Sequence, residues 1–166
     1  MRNLLNQIIE KNDGYVARFG ESFSNETVSN KRLYSSLFLK CEFKNIVFDN
    51  VIFRKSEFFE CRFENCQLVE CNLNKIECQN TNFTNCEFQQ VNLNGSLFEK
   101  VQFSETKFEK ILLTAVILVD LKLKTTTFHD LQFSEKYPVR IFQSKNILEV
   151  SDSDTFQKIL AEFFIQ

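Results

Sequence analysis

Cys61, Cys66 and Cys71 stand five residues apart in the stretch CRFENCQLVECNL, and Cys41, Cys78 and Cys86 bring the thiols to six. Such a set suggests a metal site, a disulfide framework, or no chemistry at all. Structural zinc asks for four ligands, often in closely spaced pairs, with room for the ion. An even spacing of five does not supply those pairs. The single histidine, His129, directly follows Phe128 and is expected to point outward as a solvated side chain. There is no glycine-rich phosphate loop and no Ser–His–Asp set. Catalysis needs convergent polar groups in a concave site. No catalytic, cofactor-binding or metal-binding residue is therefore assigned, no cofactor is expected, and the chain is not expected to be an enzyme.

The elements that hold these cysteines explain their spacing. Written in fives from Lys31, the chain reads KRLYS SLFLK CEFKN IVFDN VIFRK SEFFE CRFEN CQLVE CNLNK, and so on to LQFSE. The third letter runs from Leu33 to Phe133 through 21 fives: 13 Phe, 7 Leu and Cys78. The first letter, from Ser36 to Leu131, is small or branched and uncharged. Residues five apart would circle an α-helix, and an odd period would flip faces along a flat strand. Letters one and three, however, share one face of a short extended segment, and the other three letters can turn a corner. Each five is thus one side of a coiled wall, and the chain is an all-β solenoid stacked through parallel backbone bonding at about 4.8 Å per coil. The expected core is Phe38, Phe43, Phe48, Phe53, Phe58, Phe63, Leu68, Leu73, Phe83, Phe88, Leu93, Phe98, Phe103 and Phe108.

The series CEFKN, CRFEN, CNLNK, TNFTN, CEFQQ, VNLNG resembles the pentapeptide-repeat family over Lys31–Glu135. The resemblance implies a right-handed quadrilateral parallel β-helix with four repeats per coil, here about five coils. The sequence uses Cys, Ile and Val where Ala is commoner, and Phe outnumbers Leu. Four repeats per coil place Cys41 under Cys61 and Cys66 under Cys86, close enough to bridge on stacking distance alone. A reducing compartment argues against bridges, and small buried thiols are the reading adopted.

A solenoid needs caps at both ends. Residues 1–20 are read as an N-terminal capping helix and connection, with Leu4, Leu5, Ile8 and Ile9 on one face and Asp13-Gly14 as a stop. The β-helix takes residues 21–135, with clear repeats over 31–135. Before them, Glu21 and Glu26 fall in the inward first slot, so a distorted half-coil from Glu21 is one alternative for the start. Residues 136–166 form a connection, broken by Tyr137-Pro138, and a C-terminal amphipathic helix. Its apolar face is Phe156, Ile159, Leu160, Phe163 and Phe164, with Asp154 as N-cap and Gln157 as its capping-box partner. That helix is read either as a short α-helical cap or as the seat of a homodimer through the C-terminal end.

Composition bounds the function. A chain 43% hydrophobic and 25% charged packs a core and is not disordered. With 20 Phe there are only 3 Gly and 1 Pro, few for an all-β chain with ordinary turns. A net charge of −2 argues against direct nucleic-acid binding. The longest apolar run, Ile111–Val119, is too short for a membrane helix, and MRNLLNQIIEKND is not a secretory signal, so a cytoplasmic location without membrane contact is expected. Leu37, Leu39, Phe59, Leu97, Ile117 and Val119 fall outward on one wall. They are expected either to lie under a terminal helix or to form an interaction surface. The function expected is a non-catalytic scaffold for an unknown protein partner. The alternative implied by the resemblance is a DNA-mimic modulator of DNA gyrase of the quinolone-protection type. That alternative needs a long acidic face, and the two acidic walls here come to only net −3 each, with five acids and two lysines apiece.

Overall fold

The computed structural model describes residues 4–11, 14–143 and 146–163. The five-residue register becomes a four-walled parallel β-helix. Wall 1 stacks Ala17–Phe19, Leu37–Leu39, Glu57–Phe59, Glu77–Gln79, Leu97–Glu99, Ile117–Val119 and Val139–Gln143 in parallel, and Asn146–Val150 folds back antiparallel on the last. Wall 2 runs from Ser22–Ser29 through Glu42–Asp49, Arg62–Glu64, Asn82–Thr84 and Gln102–Ser104 to Lys122–Lys124. The two long strands turn the corner into wall 3, which continues with Gln67–Val69, Glu87–Gln89, Lys107–Glu109 and Thr127–His129. Wall 4 is thinner, held by single bridges from Arg32 to Leu112 and by Leu112–Leu113 against Gln132–Phe133. Partners in the ladder are twenty residues apart, such as Phe43, Phe63, Phe83 and Phe103. The coils therefore hold four repeats each. The stack has about six coils, slightly above the expected five, because Ala17–Phe19 already pairs with Leu37–Leu39. The solenoid thus begins before Glu21.

The shortage of glycine has a structural answer. From Gly20 to Asp130 every five turns its corner at the fifth letter, in the left-handed region, with φ between 47° and 61° at 21 non-glycine residues and 66° and 70° at Gly20 and Gly95. Seven of these corners are Asn, the residue after glycine that tolerates this region best. Several also stack. The Asn45 amide donates to the Asn25 side-chain oxygen at 2.9 Å, Asn65 to Asn45 at 2.9 Å, and Asn85 to Asn65 at 2.8 Å.

The core is a set of aromatic columns. Phe23, Phe43, Phe63, Phe83 and Phe103 stack with centroids 4.5–5.3 Å apart, and Phe88, Phe108 and Phe128 at 4.6–4.8 Å. Neighbouring columns meet edge to face, as at Phe58 and Phe63, 5.5 Å apart and inclined by 68°. All fourteen expected core residues are buried.

The two helices close the ends. Helix α1 (Leu4–Lys11) buries Leu5, Ile8 and Ile9. Glu26 occupies its inward slot at 5% exposure, and its carboxylate accepts the Leu5 N–H at 3.1 Å and the Asn6 N–H at 3.2 Å. An acid in a core position is thereby the cap for otherwise unpaired helical donors. Asp13 lies outside the described residues. Helix α2 (Ser153–Phe163) buries Phe156, Ile159 and Leu160 at the other end. The Phe156 ring lies 5.5 Å from both Phe128 and Phe133. The N-cap is Asp152 and not Asp154. Asp152 accepts the Thr155 N–H and hydroxyl, both at 2.8 Å, which places Thr155 in the N3 position. Its carboxyl is held below the usual range by those two bonds, the N–H first. Gln157 is consequently free of the cap and donates to the Phe128 carbonyl at 3.1 Å. Phe164 lies outside the described residues.

Candidate interaction surface

The thiols take the place of hydroxyls. Where the first letter is Ser or Thr, its oxygen donates to a carbonyl of the coil below, and at Ser36, Ser56, Thr81 and Ser96 it also accepts an N–H there. Ser96 donates to Leu73 C=O at 2.7 Å and accepts from Ile76 at 3.2 Å; Thr81 donates to Phe58 C=O at 2.9 Å and accepts from Cys61 at 3.2 Å. Cysteine sulfurs reach the same carbonyls: Cys61 to Phe38 at 3.2 Å, Cys66 to Phe43 at 3.4 Å, and Cys71 to Phe48 at 3.3 Å. The slot thus takes a small or branched uncharged side chain, and one that can donate completes the corner's hydrogen bonding. All six thiols are free and buried. Within the stacked pairs, the shared hydrogen bond lowers Cys41 and Cys66 and raises Cys61 and Cys86, so each pair titrates as a unit.

Cys71 stands outside the pairs, and burial pushes its thiol up to about 12. In the unfolded chain the group ionises near 9. Folded Cys71 therefore keeps a proton that the unfolded chain releases between those values. Its contribution is complete below pH 9 and falls as pH rises, by about 1.4 kcal/mol per unit. Denaturant titrations between pH 8 and 11 should show stability falling more steeply for the natural chain than for Cys71→Val. Parallel curves would contradict the assignment.

Wall 1 differs from the others on its outside. Register places two columns there. One is Ala17, Leu37, Glu57, Glu77, Leu97, Ile117 and Arg140; the other is Phe19, Leu39, Phe59, Gln79, Glu99, Val119 and Phe142. The folded-back strand adds Ile147 and Glu149. All six residues expected to face outward do so, and each is partly exposed. Phe19 and Ile147, which extend the same face, are 60% and 66% exposed. Helix α1 packs on Ser22–Ser29 and α2 on Phe128 and Phe133, at the two ends. The face is two apolar patches separated by an acidic band of Glu57, Glu77 and Glu99, with Gln79 donating to Glu77 at 2.6 Å.

The remaining walls are polar. Wall 2 answers charge with charge one coil away: Lys44 with Glu64 at 2.9 Å and Arg62 with Glu42 at 3.7 Å. Wall 4 and its corner carry Arg32, Arg54, Lys55 and Lys75, all exposed and without ion-pair partners among the described residues. His129 is exposed on wall 3, beside Glu109. Among the described residues no group of three or more His, Cys, Asp or Glu is placed to hold a metal.

Comparison with known proteins resolves the family. Residues 56–133 match the family model described as a pentapeptide repeat region. Over those residues this chain is a pentapeptide-repeat protein. No curated protein matches it. Among solved structures it is similar to a pentapeptide-repeat protein of the Arabidopsis thaliana thylakoid lumen, at 14% identity and a TM-score of 0.53, over 87% of this chain and 77% of that one. It also matches QnrB1, a plasmid-mediated fluoroquinolone resistance protein, at 16% identity and a TM-score of 0.43, over 72% and 70% of the two chains. A third match is the pentapeptide-repeat protein Rfr23 of the cyanobacterium Cyanothece 51142, at 12% identity and a TM-score of 0.38, over 85% and 99%. At these identities the likeness is one of fold. No described helix is long and apolar enough to cross a membrane.

Repeat arithmetic alone misses three members of the pentapeptide-repeat protein's apolar face: Phe19, Phe142 and Ile147. Phe142 and Ile147 lie beyond the last regular five. Phe19 belongs to VARFG, which keeps the register with Val16 in the first slot but has Arg18 at its centre. The buried first-slot Val16 is the signal that could have found it.

Proposed function

We propose that this pentapeptide-repeat protein is a non-catalytic scaffold that binds a protein partner through wall 1. The observation that carries the reading is the pair of partly exposed apolar patches, Phe19–Leu37–Leu39–Phe59 and Leu97–Ile117–Val119–Phe142–Ile147, on a flat sheet face that neither terminal helix occupies. Exposed apolar patches of this kind are what monomeric surfaces normally avoid. The acidic band between them favours a partner with a basic strip flanked by apolar ground. It also disfavours self-association by that face, which would bring Glu77 towards its own counterpart. Six unbridged thiols fit a reducing compartment, and the reading places the protein in the cytoplasm. A duplex-DNA mimic needs an unbroken acidic face. Here Lys40 pairs with Glu60, Lys100 with Glu99 and Lys110 with Glu109, so the gyrase reading is not the one proposed.

Affinity capture with variants of each wall tests the proposal. Leu39→Lys with Ile117→Lys should remove the captured partner, with a loss of at least about 10-fold for two apolar contacts replaced by charge. Glu87→Lys with Glu109→Lys on wall 3 should leave capture intact. Equal capture by both variants, or loss through wall 3 alone, would sink the assignment to wall 1.

A further inference from the structure

At the C-terminal end wall 1 gains further strands and α2 sets a ring over walls 3 and 4, while among the described residues wall 2 has neither a further strand nor an α2 ring on it. Wall 1 continues into Val139–Gln143 and Asn146–Val150. On walls 3 and 4 the Phe156 ring of α2 meets Phe128 edge to face and Phe133 at a tilt. On wall 2 the last strand is Lys122–Lys124, paired on one side only, to Gln102–Ser104. The chain turns back after Gln143, where the next wall-2 strand would begin. One coil down, Val101 C=O accepts the Lys122 N–H and Glu105 N–H donates to Lys124 C=O. Their counterparts in the last coil, Leu121 C=O and Thr125 N–H, make no such bond among the described residues. Leu123, the inward residue of this strand, is only half-buried. It lines a groove of about 610 Å³ shared with Lys124, Thr126, Phe128, Gln157 and Leu160.

The charges say what would fit there. Lower on wall 2, each charge meets its opposite one coil on: Glu42 with Arg62, and Lys44 with Glu64. Lys122 and Lys124 continue those two columns above the neutral Gln102 and Ser104. Both are exposed and have no ion-pair partner among the described residues. A strand added in register would set its two outward residues against these lysines and its middle residue over Leu123. A second copy pairing by this edge would set lysine against lysine, which lysines on an edge strand resist. We infer that the open wall-2 edge accepts an extended acidic peptide of the pattern Glu–apolar–Glu by strand addition. This site is separate from the outer face of wall 1. Backbone bonds along the edge give register, the apolar residue covers Leu123, and the carboxylates answer the lysines.

Fluorescence anisotropy tests it with the full chain and a labelled peptide Ser-Gly-Glu-Leu-Glu-Gly-Ser. Saturable binding is expected, weakened by salt. Lys122→Glu with Lys124→Glu should weaken it by about 10-fold or more, as two attractive pairs become repulsive. The same variant should gain binding to Ser-Gly-Lys-Leu-Lys-Gly-Ser. A Glu-Pro-Glu peptide should fail, since proline removes a ladder donor. Circular dichroism melts of the variant should match the natural chain, because both lysines are exposed. The proposal is overturned if both charged peptides bind alike or if the variant binds the acidic peptide unchanged. It is also overturned if the natural chain binds neither. In that case light scattering tells an edge taken by a second copy from lysines that only guard against association.

Discussion

Phe83→Ala should unfold with about 3–5 kcal/mol less stability than the natural chain, measured by denaturant titration at neutral pH. Phe83 is 3% exposed and sits mid-column, 4.6 Å from Phe63 below and 5.1 Å from Phe103 above, with Phe88 edge-on at 5.4 Å. Truncation removes the ring and leaves a void that its neighbours cannot fill, because each is fixed by its own coil. A 166-residue chain has a total stability of about 5–15 kcal/mol, so the loss is a large share of it. Each coil touches only its neighbours, so the damage should also divide the stack into an N-terminal and a C-terminal portion. Hydrogen exchange should show weakened protection centred on the coils of Phe63 and Phe103. A loss below about 1 kcal/mol would mean that the columns do not carry the fold.

Ending the chain at Val150, which removes α2, should cost a comparable amount. Phe156, Ile159 and Leu160 are 2%, 8% and 6% exposed, and Phe156 covers the rings of Phe128 and Phe133. Burial of each side chain contributes about 1.5–3 kcal/mol. Without the helix Phe128 and Phe133 of the last core layer face water, and the Phe128 carbonyl loses the Gln157 amide. The shortened chain should melt at a lower temperature and associate through its open end, seen as mass above the monomer in light scattering. The same measurement separates the two roles given to this helix. A full-length monomer that associates only when shortened supports a cap. A full-length dimer that becomes a monomer on truncation supports a dimer helix.

Much of the architecture is legible in the letters because the period is local and uninterrupted. The third letter names the core column, and the first names the corner slot. The six residues set outward on wall 1 follow from the same count. Even the thiols are read correctly as occupants of a slot, since Cys61, Cys66 and Cys71 share it with Ser56, Thr81 and Ser96. Legibility ends where the period does. Apolar spacing sets α2 in place but puts its cap at Asp154, because periodicity marks the apolar face and not the first unpaired N–H groups. Asp152 is found only once Thr155 is seen to offer both donors.

From the sequence alone came the coil itself, with letters one and three turned inward; four sides, and with them columns twenty residues apart and one wall with apolar residues outside, came from the family resemblance. The physical reason is that each five-residue side repeats one local choice, so vertical neighbours follow by counting. Tertiary structure alone decided the ends. Glu26 is a cap because α1 brings two N–H groups to it. Wall 1 gains Phe142 and Ile147 because the chain folds back on itself after Gln143. Wall 2 stays open at Lys122 and Lys124 for the same reason. Which groups remain unpaired where a repeat stops depends on how distant segments meet, and no count along the chain contains that.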